Sequence, residues 1–229
     1  MDLFDEKNIV VGARSSPLSR VQVDEVLHEI RQVFPSITFD PIWVETSGDK
    51  DLISSLKDMD KTDFFTREID HMLLSGQCRI AIHSAKDLPD PMPSGLACVS
   101  ITKGVDPSDV LVLREKETLS TLPLKAKVAT SSLRREHTIK QLRDDFICVD
   151  IRGTIAQRLH LLDSGKVDAV VMAEAALIRL KLTNRNRVKL PGPVAKGQGQ
   201  LAIVARASDS EMLHVFRFID VSQSPISVC

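Results

Sequence analysis

Lys127-Val128-Ala129-Thr130-Ser131-Ser132-Leu133-Arg134-Arg135 is the stretch on which the reading of this chain turns. A short strand-forming run leads into two serines able to cap a helix, and that helix opens with paired arginines. Free backbone N–H groups at a helix start attract anions, and each guanidinium is a planar fork matched to carboxylate or phosphate. A strand-to-helix junction of this composition makes a pocket for an acidic small molecule. It equally describes an ordinary cap followed by two solvated arginines, and the segment alone does not choose.

The same grammar recurs twice. Ile9-Val10-Val11-Gly12-Ala13-Arg14-Ser15-Ser16-Pro17 is again an apolar strand, then Gly, Arg and two serines, with Pro17 suited to the first helical turn. Phe146-Ile147-Cys148-Val149-Asp150-Ile151-Arg152-Gly153-Thr154 is the third copy, and Arg158 follows one turn into its helix. In open α/β sheets ligands sit beyond the carboxyl ends of the strands, so arginines delivered there favour a polyanionic ligand.

Strand and helix patterns alternate along the whole chain. The apolar spacing predicts strands over 9–12, 38–44, 79–83, 97–101, 110–113, 127–130, 146–151, 169–172 and 201–205, and helices over 18–33, 65–74, 133–142, 155–163, 174–180 and 211–216. Such alternation implies α/β layers with mixed, largely parallel sheets. Breaks rich in proline and glycine at 87–95 and 190–199 divide the chain. Residues 1–101 plus about 196–220 are expected to form one lobe, with 102–193 inserted as a second and 221–229 as a tail. The ligand is expected in the interlobe cleft. The polar stretch 45–63 reads as a long loop and a candidate lid.

Composition narrows the function. At 229 residues with 43% hydrophobic content and a net charge of −1, the chain is ordinary globular protein. The neutral balance argues against a general nucleic-acid binder. No apolar run approaches a membrane span, and the acidic start Met1-Asp2-Leu3-Phe4-Asp5-Glu6 is not a signal peptide, so a cytoplasmic protein is expected. Cys78, Cys98, Cys148 and Cys229 lack metal-binding or redox spacing; Cys98 and Cys148 fall in apolar runs and read as core filler. His28, His71, His137, His160 and His214 lie in helical patterns without ligand spacing, and no metal is expected.

Five motifs stand in one order: Arg14-Ser15-Ser16-Pro17-Leu18, His83-Ser84-Ala85-Lys86-Asp87-Leu88-Pro89, Thr130 to Arg135, Ile151-Arg152-Gly153-Thr154 with Arg158, and Gly197-Gln198-Gly199. Together they resemble the porphobilinogen deaminase, or hydroxymethylbilane synthase, family over roughly residues 9 to 206. The resemblance implies two lobes like those of periplasmic binding proteins, and a transferase that condenses four porphobilinogen units into hydroxymethylbilane for haem and other tetrapyrroles. It implies a dipyrromethane cofactor held through a cysteine thioether. A monomer is expected, and charge and hydropathy point to no nucleic-acid or membrane partner. Carried over by motif, Arg14, Arg134, Arg135, Arg152, Arg158 and Arg179 hold pyrrole carboxylates. Ser16 and Ser132 offer hydroxyls, and Lys86 offers a further cation. Asp87 is the catalytic carboxylate, stabilising positive charge on ring nitrogens and moving protons. Without the resemblance, Asp87 reads as a turn aspartate satisfying local N–H groups. His83 is expected to pack the strand end or orient Asp87.

The pattern departs from the family at several places. No Gly-Gly-Cys loop is found, and residues 207–229 are fewer than the ~50 that a domain needs, so a third domain is expected to be absent. Cys229 is the candidate for cofactor attachment. Lys61-Thr62-Asp63-Phe64-Phe65 replaces a Gly-Lys-Gly-Leu-Phe run, Ser47 stands where arginine is common, and Lys196 where an apolar residue is usual. Two readings follow: a minimal deaminase, or a two-lobed binding protein for an acidic small molecule without the priming chemistry.

Overall fold

The computed structural model describes residues 8–51 and 63–221. Within them the chain runs β1 (Asn8–Arg14), α1 (Pro17–Val33), β2 (Thr38–Val44), the helical turn α2 (Ser47–Lys50), α3 (Arg67–Ser75), β3 (Ile80–Ser84), β4 (Leu96–Ile101) and β5 (Asp109–Val112). It continues through β6 (Lys127–Ala129), α4 (Leu133–Leu142), β7 (Ile147–Val149), α5 (Ile155–Asp163), β8 (Ala169–Ala173), α6 (Glu174–Arg179), β9 (Arg187–Lys189), β10 (Leu201–Arg206) and α7 (Ser210–Phe216). These elements form two compact units. The first holds residues 8–50, 63–104 and 200–221 of the described chain, and the second holds 105–199 with Asp51.

In the first unit the sheet order is β2-β1-β3-β10-β4. β1 pairs in parallel with β2, from Asn8↔Thr38 to Arg14↔Val44, and in parallel with β3. β10 then pairs antiparallel with both β3 and β4. One face is covered by α1 and α7 through Val23, Val26, Leu27, Ile30, Met212, Val215 and Phe216. The other face is covered by α3 through Ile69 and Leu73, against Ala81 and Val204. Each such aliphatic side chain contributes about 1.5–3 kcal/mol when fully buried, so both faces are firmly held. Ser16 caps α1 by accepting from the Ser19 N–H, with Pro17 in the first turn, which sets where β1 ends and the helix begins.

The second unit repeats this plan in the order β7-β6-β8-β5-β9. β6 pairs in parallel with β7 and β8, and β5 pairs antiparallel with β8 and β9. Leu159 and Leu162 of α5 with Leu177 of α6 cover one face. Ile139 of α4 and Phe146 cover the other. Three parallel strands therefore end at one edge of the sheet, and β5 starts from that same edge. That arrangement positions the site residues.

The structure departs from the sequence reading in places that have physical causes. Each sheet divides evenly between parallel and antiparallel pairings, so the parallel share is smaller than alternation implied: β10 and β5 enter against the direction of their neighbours. The strand expected over 146–151 is only Ile147–Val149. β9 was not expected, since Arg187-Val188-Lys189 has no apolar run; it pairs only with β5, at the edge of the sheet. The helix expected from residue 65 starts at Arg67 after a 3-10 turn over Asp63–Phe65. Cys98 and Cys148 are half-buried, because β4 and β7 are edge strands; Cys148 packs against the second unit's core as expected, and Cys78 is the fully buried one among the described residues. The polar stretch 45–63 is not loop throughout, since Ser47–Lys50 makes a helical turn. Residues 52–62, including Lys61, lie outside the described residues, as does Cys229.

Candidate functional site

At the first unit's sheet edge, β1 ends in Arg14 and β3 runs through Ser84 into a 3-10 turn, Ala85–Asp87. The turn's backbone is anchored: Ala85 N–H donates to the Gln200 carbonyl at 3.0 Å, and Gln22 of α1 donates to the Ser84 hydroxyl at 2.9 Å. The Asp87 carboxylate is half-buried and takes no hydrogen bond or ion pair among the described residues. The reading as a turn aspartate satisfying local N–H groups therefore fails. Lys86 beside it is half-buried. His83 is 6% exposed, and its Nε2 has no hydrogen-bond partner among the described residues. Burial, with the Arg14 charge second, holds its pKa down to about 4, so the ring is neutral near pH 7. It makes no hydrogen bond to Asp87 among the described residues, so its part is packing rather than orienting.

Arg14 is committed within its own unit. Its Nε donates to Asp49 Oδ2 at 3.2 Å, its Nη2 to Oδ1, and the guanidinium lies 4.6 Å from the centre of the Phe65 ring. Burial would raise the Asp49 pKa, but the Arg14 hydrogen bond and charge, with Thr46, bring it below the ordinary value. Gly48 is required at this point, because a Cβ would fall 2.5 Å from the Phe65 ring. The departures from the family pattern are absorbed locally. Ser47 donates to Glu68, and the charge of Asp63 is answered by two 2.8 Å bonds from Arg67.

In the second unit the two arginines meet one buried carboxylate that sequence reasoning missed. Arg134 Nη1 reaches Asp109 Oδ2 at 2.6 Å and the Pro193 carbonyl at 2.7 Å. Arg135 donates to Asp109 Oδ1 from Nε at 3.0 Å and Nη2 at 2.7 Å. Asp109 is 4% exposed at the head of β5. Burial alone would raise its pKa; the Arg135 charge and bonds from Arg135, Arg134 and Gln198 reverse this and hold it below the ordinary value. The arginines are thus neither solvated nor fully neutralised. Ser132 stands at the N-cap with extended backbone, yet its side chain makes no capping bond, contrary to expectation. Ser131 instead turns to Asp150 and the Ile151 carbonyl.

The remaining arginines hold backbone. Arg152 Nη2 donates to the Asp51 carbonyl at 2.7 Å, and Arg158 Nε to the Gly153 carbonyl at 2.9 Å. Arg179 is 7% exposed and donates to the Gly199 carbonyl at 2.9 Å. A Cβ on Gly199 would lie 2.4 Å from the Val105 carbonyl, so this crossing of two backbones needs glycine. Ser16 is occupied as a helix cap. A signal for Asp109 was present in the sequence: one acid directly before the apolar run Val110-Leu111-Val112-Leu113. Among the described residues no group of three or more His, Cys, Asp or Glu side chains could hold a metal, and no helix is long and apolar enough to cross a membrane.

Comparison with known proteins agrees with this layout. Residues 9–214 match the family model described as "Porphobilinogen deaminase, dipyromethane cofactor binding domain". A porphobilinogen deaminase of Desulforudis audaxviator is 39% identical over 217 residues, covering 93% of this chain and 70% of that protein. A probable porphobilinogen deaminase of Chlamydia muridarum is 42% identical over 195 residues, covering 85% and 80%. Among solved structures, the second substrate binding domain of a putative amino acid ABC transporter from Streptococcus pneumoniae superposes with a TM-score of 0.59 at 11% identity, covering 92% of this chain and 90% of that one. That likeness speaks to the fold alone: two α/β lobes with mixed sheets.

Proposed function

This chain belongs to the porphobilinogen deaminase family, and on that premise we propose that it is a transferase of the hydroxymethylbilane synthase type, joining four porphobilinogen units with release of ammonia. The observation that carries the reading is Asp87: a half-buried carboxylate on an anchored turn with no partner among the described residues. A charged group left unpaired at low exposure costs stability unless something else uses it. A pyrrole whose ring nitrogens gain positive charge as ammonia departs supplies that use. Asp87 stabilises the developing charge, takes a proton from the ring during deprotonation, and returns one to the leaving amine. Lys86, one residue earlier, offers a cation for a substrate carboxylate.

The family cofactor fits the residues present. Arg134 Nε and Nη2, Arg135 Nη1 and the Ser132 hydroxyl are unused among the described residues, and these donors match the acetate and propionate groups of a dipyrromethane. When bound, the cofactor supplies the pyrrole on which the chain is begun. Arg14, Arg152, Arg158 and Arg179 complete the proposed carboxylate-holding set. Cys78 is a poor candidate for thioether attachment, since burial pushes its pKa up to about 11; burial raises that of Cys98 too. Cys229 is proposed for that role. The reading takes the protein as a cytoplasmic monomer, and a binding-only role gains no support from relatives named as deaminases.

The test is direct. Purified chain given porphobilinogen should release ammonia and a linear tetrapyrrole in a four-to-one ratio, the stoichiometry this reading requires. Intact mass should show an excess equal to one dipyrromethane that disappears in Cys229→Ser. Ammonia release without tetrapyrrole, or no turnover by chain carrying the mass excess, would overturn the reading.

A further inference from the structure

Asp109 takes four hydrogen bonds, drawn from three different residues. Arg134 and Arg135 approach it from the first turn of α4, and Gln198 donates its amide N–H to Oδ1 at 2.9 Å. Gln198 is itself 3% exposed, donates to the Pro107 carbonyl at 2.6 Å, and accepts from Arg135 Nη2 at 3.4 Å. The aspartate therefore grips one edge of each guanidinium. The other edges, Nε and Nη2 of Arg134 and Nη1 of Arg135, make no hydrogen bond among the described residues. Two cations and one anion leave the cluster at a formal charge of one, positive.

We propose that Asp109, backed by Gln198, is a positioning residue that clamps both arginines so that their unused edges form a preset socket for a single carboxylate. The deaminase reading is needed only to say that this carboxylate belongs to a pyrrole. The clamp orders two long side chains before the guest arrives, which removes a cost that binding otherwise carries. It also sets selectivity: two uncompensated guanidiniums would suit a dianion such as inorganic phosphate, whereas this cluster has one charge to offer.

A mere counter-charge and a clamp predict opposite signs. Removing a negative charge that only neutralises the site should tighten anion binding. Removing a clamp should weaken it. The experiment compares full-length wild type with Asp109→Asn, using 15N spectra of arginine Nε–Hε groups (Arg135 assigned through Arg135→Lys) and calorimetry. The calorimetric ligand is a pyrrole acetate-propionate lacking the aminomethyl group, which has no ammonia to lose. In wild type the Arg135 Nε–H is expected to be rigid. In Asp109→Asn it should become mobile, with analogue affinity falling about tenfold, the scale of one charged hydrogen bond. Equal or tighter binding by folded Asp109→Asn, or an Arg135 signal that stays rigid, overturns the proposal. Should Asp109→Asn not fold, Gln198→Met keeps the aspartate and removes its third donor. About threefold weaker binding then supports the clamp, and unchanged binding overturns it. A wild type that locks Arg135 and releases it in Asp109→Asn, yet has no affinity for the analogue, upholds the clamp and sinks the deaminase reading.

Discussion

The end of β3 and the end of β6 are alike locally and opposite in their electrostatics. Each is a largely buried strand whose carboxyl end delivers charged residues at a sheet edge, β6 lying parallel to both neighbours and β3 parallel to β1 alone. At β6 the arginines are already held by an internal carboxylate more than twenty residues away in sequence. At β3 the anchoring stops at Ala85 and Ser84, and the Asp87 carboxylate has no partner among the described residues. The difference separates two kinds of functional residue. A binding cation tolerates prior commitment on one edge, because a guanidinium has five donors to share. A carboxylate meant to answer a charge that exists only during reaction has to stay uncommitted until then.

Asp87→Ala gives the largest test of that contrast. Turnover should fall by about 10²–10⁴ while the melting temperature holds or rises slightly, since a half-buried carboxylate with no partner among the described residues gives the fold no bond to lose. A fall of several degrees would reveal an internal partner and erase the distinction between the two strand ends.

His83 sharpens the β3 side. The unfolded histidine takes up its proton near pH ~6.5, whereas in the fold it does so only near 4. The unfolded chain thus binds more protons between these values, and stability falls as pH drops from about 6.5 to about 4, by on the order of 2–3 kcal/mol. Chemical denaturation across that range should show this limb in wild type and lose it in His83→Leu. An unchanged limb would assign the pH dependence elsewhere.

On the β6 side, Arg134→Leu removes a donor edge and one of the two guanidiniums bonded to Asp109. Binding of a pyrrole-carboxylate analogue should weaken by ~1.5–3 kcal/mol, the range for a charged hydrogen bond. Equal affinity by calorimetry would show that the unused edge faces no ligand. The smallest effect concerns the caps. Thr154 and Gln157 form a capping box on α5, while Ser132 bonds nothing on α4. Thr154→Ala should cost ~1 kcal/mol and Ser132→Ala under ~0.5 kcal/mol in denaturant melts. Equal costs would mean that Ser132 caps its helix after all.

Much of the fold was legible. Ser16-Pro17 announced the start of α1, and the spacing of Val23, Val26, Leu27 and Ile30 foretold its buried face, because capping and periodicity act over one or two turns. β9 was not legible, since an Arg-Val-Lys segment becomes a strand only when β5 offers it a free edge. In the candidate site, Arg134, Arg135 and Asp87 could be chosen by residue type and position. Asp109 could not, because an acid before an apolar run resembles many turn residues until the sheet sets it under α4.

Sequence by itself determined the order of strands and helices, β9 and the short turn α2 apart, and the sign of the charge delivered at the strand ends of the candidate site. Both follow from interactions among near neighbours, which the linear pattern records. Only the tertiary structure decided which charges are answered internally. Asp109 lies 25 positions from Arg134 and 89 from Gln198, and only the folded sheet brings these side chains into hydrogen-bond range. Hydrogen bonds act over about 3 Å in space, at any separation along the chain.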